Sequence, residues 1–332
     1  MQDIISEKRG AIDEEGRQGG AVRGNAARVV AGSMTSDATS VAIAVPTSNV
    51  AETAVWLRVA AAAPSSTRAK VHSAPRTLEA FERYVAETEA RMADERAGDS
   101  PFLWIDRQSA SDRADADDRL SGGGVVIERL DTRDDAGKSI KIPKGMVHHW
   151  VGTVRIPDVT LETTLALVQD YERYADVYTP NVRRSALLDR DGDRFRSSLQ
   201  LYMKKVVSVV LNTEYDVEFQ RLGSQRAWVP NYATRIVEVA DPDTPDEREK
   251  PVGNDRGFLW RLNTYCSFEQ RESDTYMQWE SVSLSRGIPF MLGALIKPFV
   301  TGIPRETLTF TLEAARRHLT AADRLLSPFS SP

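Results

Sequence analysis

The feature that most constrains the fold is a series of extended segments between residues 182 and 287. Five stretches rich in β-branched and aromatic residues follow one another, separated by short polar turns such as DRDGDR (189–194) and RESDT (271–275). Long segments of this composition joined by short turns are typical of an antiparallel meander. The sequence therefore predicts an antiparallel β-sheet, to which MVHHWVGTVRIP (146–157) contributes an earlier strand.

Helical spacing of apolar residues marks three further segments. The chain between Arg76 and Gly98 predicts an amphipathic helix, 158–178 predicts a helix with Thr160 as N-cap, and Pro304 opens a predicted last helix that reaches about Leu325. The polar stretch 111–124 ends in three glycines without a P-loop lysine, which favours a flexible connection over a phosphate site.

Composition divides the chain into three parts. Residues 1–75 are rich in Ala, Gly, Ser and charge, so we expect a disordered or low-complexity tail that cannot bury enough apolar surface to fold. Residues 76–140 are predicted to be an accessory helical and linker region. Residues 141–326 then form the main domain.

The most apolar run of the chain spans 288–303 and lies between two GIP tripeptides. It is shorter than the roughly 20 apolar residues that cross a bilayer, and Lys297, Pro298 and Gly302 interrupt it. We therefore interpret it as buried or interfacial structure, a lid that could close on a ligand or on its own side chains.

Charge and composition exclude several function classes. The net charge is −5 with acids and bases interspersed, so no nucleic-acid partner is expected. The single cysteine, Cys266, excludes an intrachain disulfide and favours a small buried residue over a nucleophile. His148 and His149 are neighbours on a predicted strand and should point to opposite faces, so neither a metal nor another cofactor is expected.

The N-terminus lacks the basic and apolar regions of a secretory signal, which predicts a cytoplasmic location. The stretch VAETAVWLRVAAAAPSS (50–66) ends in alanines like a cleavage region, although Glu52 and Arg58 interrupt its apolar part. Export stays open as the alternative if the true start lies downstream.

The order of these segments resembles the START-like helix-grip superfamily, also called SRPBCC. The stretches that carry the resemblance are HHWVGTV, LVQDYERYADVY, VVLNTEYDV, YATRIVEV, GFLWRLNTY and SLSRGIPFMLGALIKPFVTGIPRETL, within about residues 146–325. The resemblance implies an α+β fold in which a curved antiparallel β-sheet wraps around a long C-terminal α-helix. It also implies a cavity between sheet and helix, which relatives use for lipids, sterols, quinones or polyketides.

Three functional hypotheses follow. The first is binding or transfer of a hydrophobic small molecule such as a lipid, a quinone or a polyketide-like compound. The second is a polyketide cyclase or dehydratase that uses the same cavity, with Tyr232, Arg261 or Glu280 positioning the chain; it is less favoured because no acid and base pair is evident. The third, compatible with the first, is transient membrane contact through 288–303. Oligomeric state stays open.

Alternation along the strands suggests which residues line the cavity, because side chains point to opposite faces in turn. Arg261 and Arg235 are candidate polar anchors, and the apolar phase of each strand supplies the walls. The same pattern is compatible with a filled core. The predicted lining residues are Trp260, Leu262, Arg261, Tyr232, Arg235, Met277, Trp279, Phe290, Leu292, Phe299, Leu308 and Leu312.

Overall fold

The computed structural model describes residues 75–97, 101–204, 208–251, 254–287 and 293–326. Within the last range, side chains are described only for 302–322. The predicted tail therefore lies outside the described residues, apart from Pro75. Phe290 and Leu292 of the apolar run lie outside them as well.

Five α-helices and ten β-strands make up the described part of the chain. The helices are α1 (Pro75–Ala97), α2 (Ala110–Ser121), α3 (Leu161–Gln169), α4 (Tyr174–Val177) and α5 (Gly293–Leu326), with 3₁₀ turns at Trp104–Arg107 and Tyr171–Arg173. The strands are β1 (Val125–Arg129), β2 (Gly145–Ile156), β3 (Val182–Asp191), β4 (Arg194–Lys204), β5 (Ser208–Glu218), β6 (Gln220–Arg221), β7 (Arg226–Ala240), β8 (Arg248–Glu249), β9 (Arg261–Arg271) and β10 (Asp274–Arg286).

The strands form one antiparallel sheet in the order β1-β2-β10-β9-β7-β5-β4-β3, and the short strands β6 and β8 pair with β7. Tight hairpins join β3 to β4 and β9 to β10, and β4 pairs with β5, the next strand along the chain. The chain passes from β2 to the far edge strand β3 through α3 and α4. This arrangement, with a long C-terminal helix against one face, is the predicted α+β helix-grip fold.

One face of the sheet, here called the α5 face, packs against the C-terminal helix. Leu308, Leu312 and Ala315 of α5 are buried there and belong to one apolar cluster with Val154 of β2. A Cβ atom at Gly152 would lie 2.7 Å from Leu312 Cδ1, so the close approach of α5 to β2 requires glycine at this position.

The opposite face, here called the α1 face, is covered by α1 and by the chain that follows it. Phe81 and Tyr84 of α1 pack with Tyr265 and Leu284 of the sheet in a second apolar cluster. Phe102, Leu103 and Ile105 complete this layer. Both faces of the sheet are therefore covered by a packed layer, so residues of both alternating sets are buried, among them Tyr265 and Phe268 on β9.

Three local predictions need correction. The helix predicted at 158–178 ends at Gln169 and a 3₁₀ turn precedes α4, because Asp170 leaves the helical conformation (φ −88°, ψ 69°). The stretch predicted as a flexible connection contains α2, capped by Ser109, whose Oγ accepts the Asp112 N–H.

The last helix begins eleven residues before the predicted start, at Gly293, so that Pro304 lies inside it. The part of the apolar run from Gly293 onward is therefore helical and continuous with α5. No helix in the described part of the chain is both long and apolar enough to cross a bilayer.

Candidate functional site

The α5 face is the candidate binding surface, and strand pairing fixes which side chains it carries. Ser281 of β10 pairs with Thr264 of β9, which pairs with Asn231 of β7. Trp279 lies two residues before Ser281 on β10, and therefore on the same face, and it pairs with Cys266. Because paired residues lie on the same face, these five residues form a continuous area of the α5 face.

Helix α5 covers only part of this face. It packs against β1, β2 and β10, with Leu308 and Leu312 over Gly152. Side chains of the α5 face on β9, β7 and β4 are partly accessible in the described part of the chain. The apolar side chains of the α5 face on these strands are therefore not all closed over by α5.

A group of aromatic residues closes one end of the same face. Tyr171, Tyr174 and Tyr178 pack with neighbouring ring centroids 4.9 and 5.0 Å apart, and Tyr171 lies 5.9 Å from Phe195. Burial raises the pKa of the neighbouring Cys266 thiol well above its usual value. Cys266 therefore stays a protonated core residue, unsuited to nucleophilic chemistry.

Between this aromatic group and the other end of the sheet, several side chains of the α5 face stay partly accessible. They sit on β3, β4, β7, β9 and β10, and all pack against the buried cluster of the α5 face. The apolar members are Leu187, Leu199, Leu201, Ala233, Leu262 and Trp279. We call this group the open area; the polar residues Asn231, Thr264 and Ser281 adjoin it and are partly accessible as well.

Four buried polar atoms around the open area have no hydrogen-bond partner in the described part of the chain. They are Trp279 Nε1, Asn231 Oδ1, Ser197 Oγ and Tyr178 Oη. Ser197 pairs with Leu187, and Tyr178 belongs to the aromatic group. Buried polar atoms are normally satisfied, so a cluster of exceptions on one face needs an explanation.

The α5 face also carries a buried neutral pair near the end of β10. His148 Nε2 lies 2.8 Å from Ser285 Oγ, and both residues are buried. Burial, and to a smaller extent the charge of Arg129, lowers the pKa of His148 to about 4. His148 is therefore uncharged at neutral pH.

Five of the predicted lining residues lie on the α5 face: Leu262, Met277, Trp279, Leu308 and Leu312. Leu262 and Trp279 belong to the open area, whereas Met277, Leu308 and Leu312 are fully buried. Phe299 lies in the part of α5 whose side chains are outside the described residues, as do Phe290 and Leu292 altogether.

Trp260 and Tyr232 lie on the α1 face instead. Trp260 precedes β9, which begins at Arg261, and its Nε1 donates to Asp255 Oδ1 at 3.0 Å. A β-bulge in β7 between the pairs Glu214/Arg235 and Tyr215/Ala233 inverts the alternation, so that Tyr232 and Ile236 do not share a face.

Neither predicted arginine anchor faces the open area. Arg235 pairs with Glu249 across the surface, and its neighbour Glu214 lies 3.7 Å away. Arg261 is exposed and donates to the Trp260 carbonyl at 2.8 Å. The alternation that puts Leu262 on the α5 face puts Arg261 on the other.

The α1 face holds a buried charge network that the sequence did not indicate. His149 Nε2 lies 2.6 Å from Glu280 Oε1, and Arg91 of α1 pairs with the same carboxylate. Arg91 also lies 2.6 Å from Glu95, which pairs with Arg107. Burial alone would raise the pKa of Glu280, yet the hydrogen bond from His149 and the charges of the network lower it.

The predicted separation of the two histidines is seen directly, since His148 contacts Ser285 and His149 contacts Glu280 on the opposite face. In the residues that the structure describes, no group of three or more His, Cys, Asp or Glu side chains is placed to hold a metal ion.

Two other recesses are polar. One lies under α1 beside Glu95 and Glu280, and the other lies where β7 separates from β5, beside Glu238, Lys250 and Arg256. In the second, Lys250 Nζ is 2.6 Å from Glu238 Oε1. Charged groups line both recesses, among them Glu95, Arg96 and Glu280 in the first and Glu238, Lys250 and Arg256 in the second, so neither has the apolar lining expected for a hydrophobic ligand.

No protein-family model matches the chain, and no curated protein matches it. Solved structures similar to it include a STAR-related lipid transfer protein from Xanthomonas axonopodis (17% identity, 57% of this chain and 98% of that chain covered, TM-score 0.38). The Zhui aromatase/cyclase from Streptomyces sp. R1128 shares 9% identity over 56% of this chain and 100% of that chain (TM-score 0.40).

Human STARD10 shares 13% identity over 68% of this chain and 89% of that chain, with a TM-score of 0.36. At these identities the likeness concerns the fold alone. The strand order and the position of α5 define the helix-grip fold independently of these similarities.

Proposed function

We propose that the chain binds a hydrophobic small molecule between α5 and the open area of the sheet, and that it acts by holding or transferring this molecule. The observation that carries the proposal is a difference between the two faces of the same strands. On β10, Glu280 and Val282 on the α1 face are buried, whereas Trp279 and Ser281 on the α5 face stay partly accessible.

The open area has the composition of a small-molecule site. Its apolar side chains supply most of the surface, and a few polar groups adjoin it in fixed positions on strands. Sites of this kind orient an apolar ligand through a small number of hydrogen bonds. The four unpaired polar atoms around the open area fit that role.

The cyclase alternative gains no support from the positions of its predicted residues. Tyr232 and Glu280 lie on the α1 face, where Tyr232 contacts Glu89 and Glu280 belongs to the charge network. Arg261 is exposed. These three side chains do not come together beside the open area, so they form no catalytic site there.

A substitution at Ala233 tests the proposed site. Ala233 is part of the open area, whereas its neighbour Thr234 is exposed. With a hollow site, Ala233→Phe fills the space, so binding of the neutral apolar fluorophore N-phenyl-1-naphthylamine weakens at least about tenfold with little change in melting temperature. Thr234→Phe serves as the matched control and leaves probe binding unchanged.

A packed interior gives the opposite result. Ala233→Phe would then overpack the core and destabilise the fold by about 1–3 kcal/mol, and the unmodified chain would not bind the probe. That pair of results refutes the proposal. Native mass spectrometry of the chain purified from its own source then identifies the bound molecule.

Transient membrane contact through 288–303 is a separate proposal, based on the apolar sequence of that run. Replacing Phe290 and Leu292 together by serine should reduce flotation of the chain with liposomes. Unchanged flotation argues against the contact. The cytoplasmic location predicted from the sequence stays a prediction.

A further inference from the structure

Three polar residues form a line across the α5 face. Ser281, Thr264 and Asn231 are paired across the adjacent strands β10, β9 and β7, and all three are partly accessible. Neighbouring strands are about 4.8 Å apart, so the line spans roughly 10 Å. It lies beside Trp279 and the apolar side chains of the open area.

Two of the unpaired atoms in this region have complementary hydrogen-bonding roles. Asn231 Oδ1 is an acceptor, Trp279 Nε1–H is a donor, and both are buried without a partner in the described part of the chain. Leaving such groups unpaired is costly for a folded protein. A hydroxyl group satisfies both kinds of atom, since it donates one hydrogen bond and accepts others.

Charge around the open area argues against an anionic ligand. Strand pairing with Leu211 places Glu238, an acidic residue, on the α5 face. Lys250 and Arg256 already form ion pairs with its carboxylate. The arginines on the α5 face of the edge strands, Arg129 of β1 and Arg190 of β3, are four and three strands away from Asn231. A buried carboxylate or phosphate would therefore meet the acceptor Asn231 Oδ1 without a compensating charge.

Building on the proposed function, we propose that the ligand is an uncharged amphiphile whose hydroxyl group lies at Asn231, Thr264 and Ser281, and that the site discriminates against the corresponding carboxylate. The apolar part of the ligand lies against Leu199, Leu201 and the other apolar side chains of the open area. Trp279 and Asn231 determine this specificity through one donated and one accepted hydrogen bond.

A series of three ligands with the same alkyl chain tests the inference. Displacement of N-phenyl-1-naphthylamine from the full chain is measured with 1-decanol, 1-methoxydecane and decanoate at pH 8. The alcohol should bind about three- to tenfold tighter than the ether, because the ether cannot donate to Asn231. Decanoate should bind at least about tenfold weaker than the alcohol because its charge finds no partner.

Two variants assign the preference to named atoms. Asn231→Leu should bring the alcohol down to the affinity of the ether, and Trp279→Phe should weaken both while keeping an aromatic ring. Asn263→Leu is the matched control, since Asn263 lies on the other face of β9 beside Tyr265. It should leave the order of affinities unchanged.

Each contrary result has a distinct meaning. If decanoate binds at least as tightly as decanol, or if Asn231→Leu keeps the preference for alcohol over ether, this inference is wrong while the proposed function stands. If the unmodified chain binds neither the probe nor any of the three ligands, both are wrong. The comparison of ligands on the unmodified chain needs no variant to fold.

Discussion

Replacing Glu280 by glutamine should destabilise the chain more than any exposed charge change. The Glu280 side chain is only 3% exposed, and its carboxylate binds His149 and Arg91 while Arg107 lies in the same network. Removing its charge leaves two guanidinium groups with Glu95 as their remaining carboxylate. Breaking a buried pair typically costs 3–5 kcal/mol, and we expect about 3 kcal/mol because both arginines are partly solvated.

Urea unfolding followed by tryptophan fluorescence measures this loss. For a chain of this size an m-value of about 2–3 kcal/mol/M is expected, so the midpoint should fall by roughly 1–1.5 M without a change in m. The control is Asp241→Asn, which removes the partner of Arg248 in a pair whose side chains are more than half exposed. It should change the free energy of unfolding by less than about 0.5 kcal/mol.

The contribution of Glu280 to the free energy of unfolding should also decrease at low pH. Because the network lowers the pKa of Glu280 in the folded state, its contribution is complete above the unfolded-state pKa of about 4.3. It is then lost as pH falls through the lower folded-state pKa. A Glu280→Gln variant within about 0.5 kcal/mol of the unmodified chain at pH 7 would refute this reasoning.

Three further predictions concern the α5 face and the helix caps. The pKa of His148 is lowered to about 4, so its neutral form stabilises the fold above pH 6.5 and that contribution is lost as pH falls. The stability advantage of the unmodified chain over His148→Gln should thus shrink by about 3 kcal/mol between pH 7 and pH 4 in urea titrations. Gly152→Ala should cost about 1–3 kcal/mol in thermal unfolding, since its Cβ would lie 2.7 Å from Leu312; an unchanged melting temperature would contradict this. Thr160→Ala should cost about 1 kcal/mol by circular dichroism, because Thr160 Oγ1 accepts the Thr163 N–H at 3.2 Å.

The residues that lie on the α5 face could be predicted from the sequence where the strands are regular. Alternation along β9 and β10 places Leu262, Met277 and Trp279 on that face, as the structure has them. In β7 the same reasoning failed for Tyr232, because a bulge inserts one residue and inverts the phase. A bulge leaves no clear signal in residue type, so the error could not be avoided from pattern alone.

The α1 face could not be predicted because its partner comes from a distant part of the chain. Glu280 and Arg91 are 189 residues apart, and neither position is unusual within its own segment. The helical spacing of Phe81 and Met92 predicted a buried stripe, yet it did not say which surface the stripe covers. Burial of Tyr265 and Val282 depends on that docking, and alternation alone would expose them.

The Glu280 network on the α1 face and Asn231 on the α5 face differ in how their polar groups are satisfied, and this separates stability from binding. On the α1 face, His149, Glu280 and Arg91 are paired with one another, so a change at Glu280 should lower stability and leave ligand binding intact. On the α5 face, Asn231 keeps an unpaired acceptor, which costs the free fold about 1–3 kcal/mol. Asn231→Leu should therefore raise the urea midpoint while it lowers affinity for a hydroxylated ligand. Loss of both stability and affinity in this variant would instead assign Asn231 to the packing of the core.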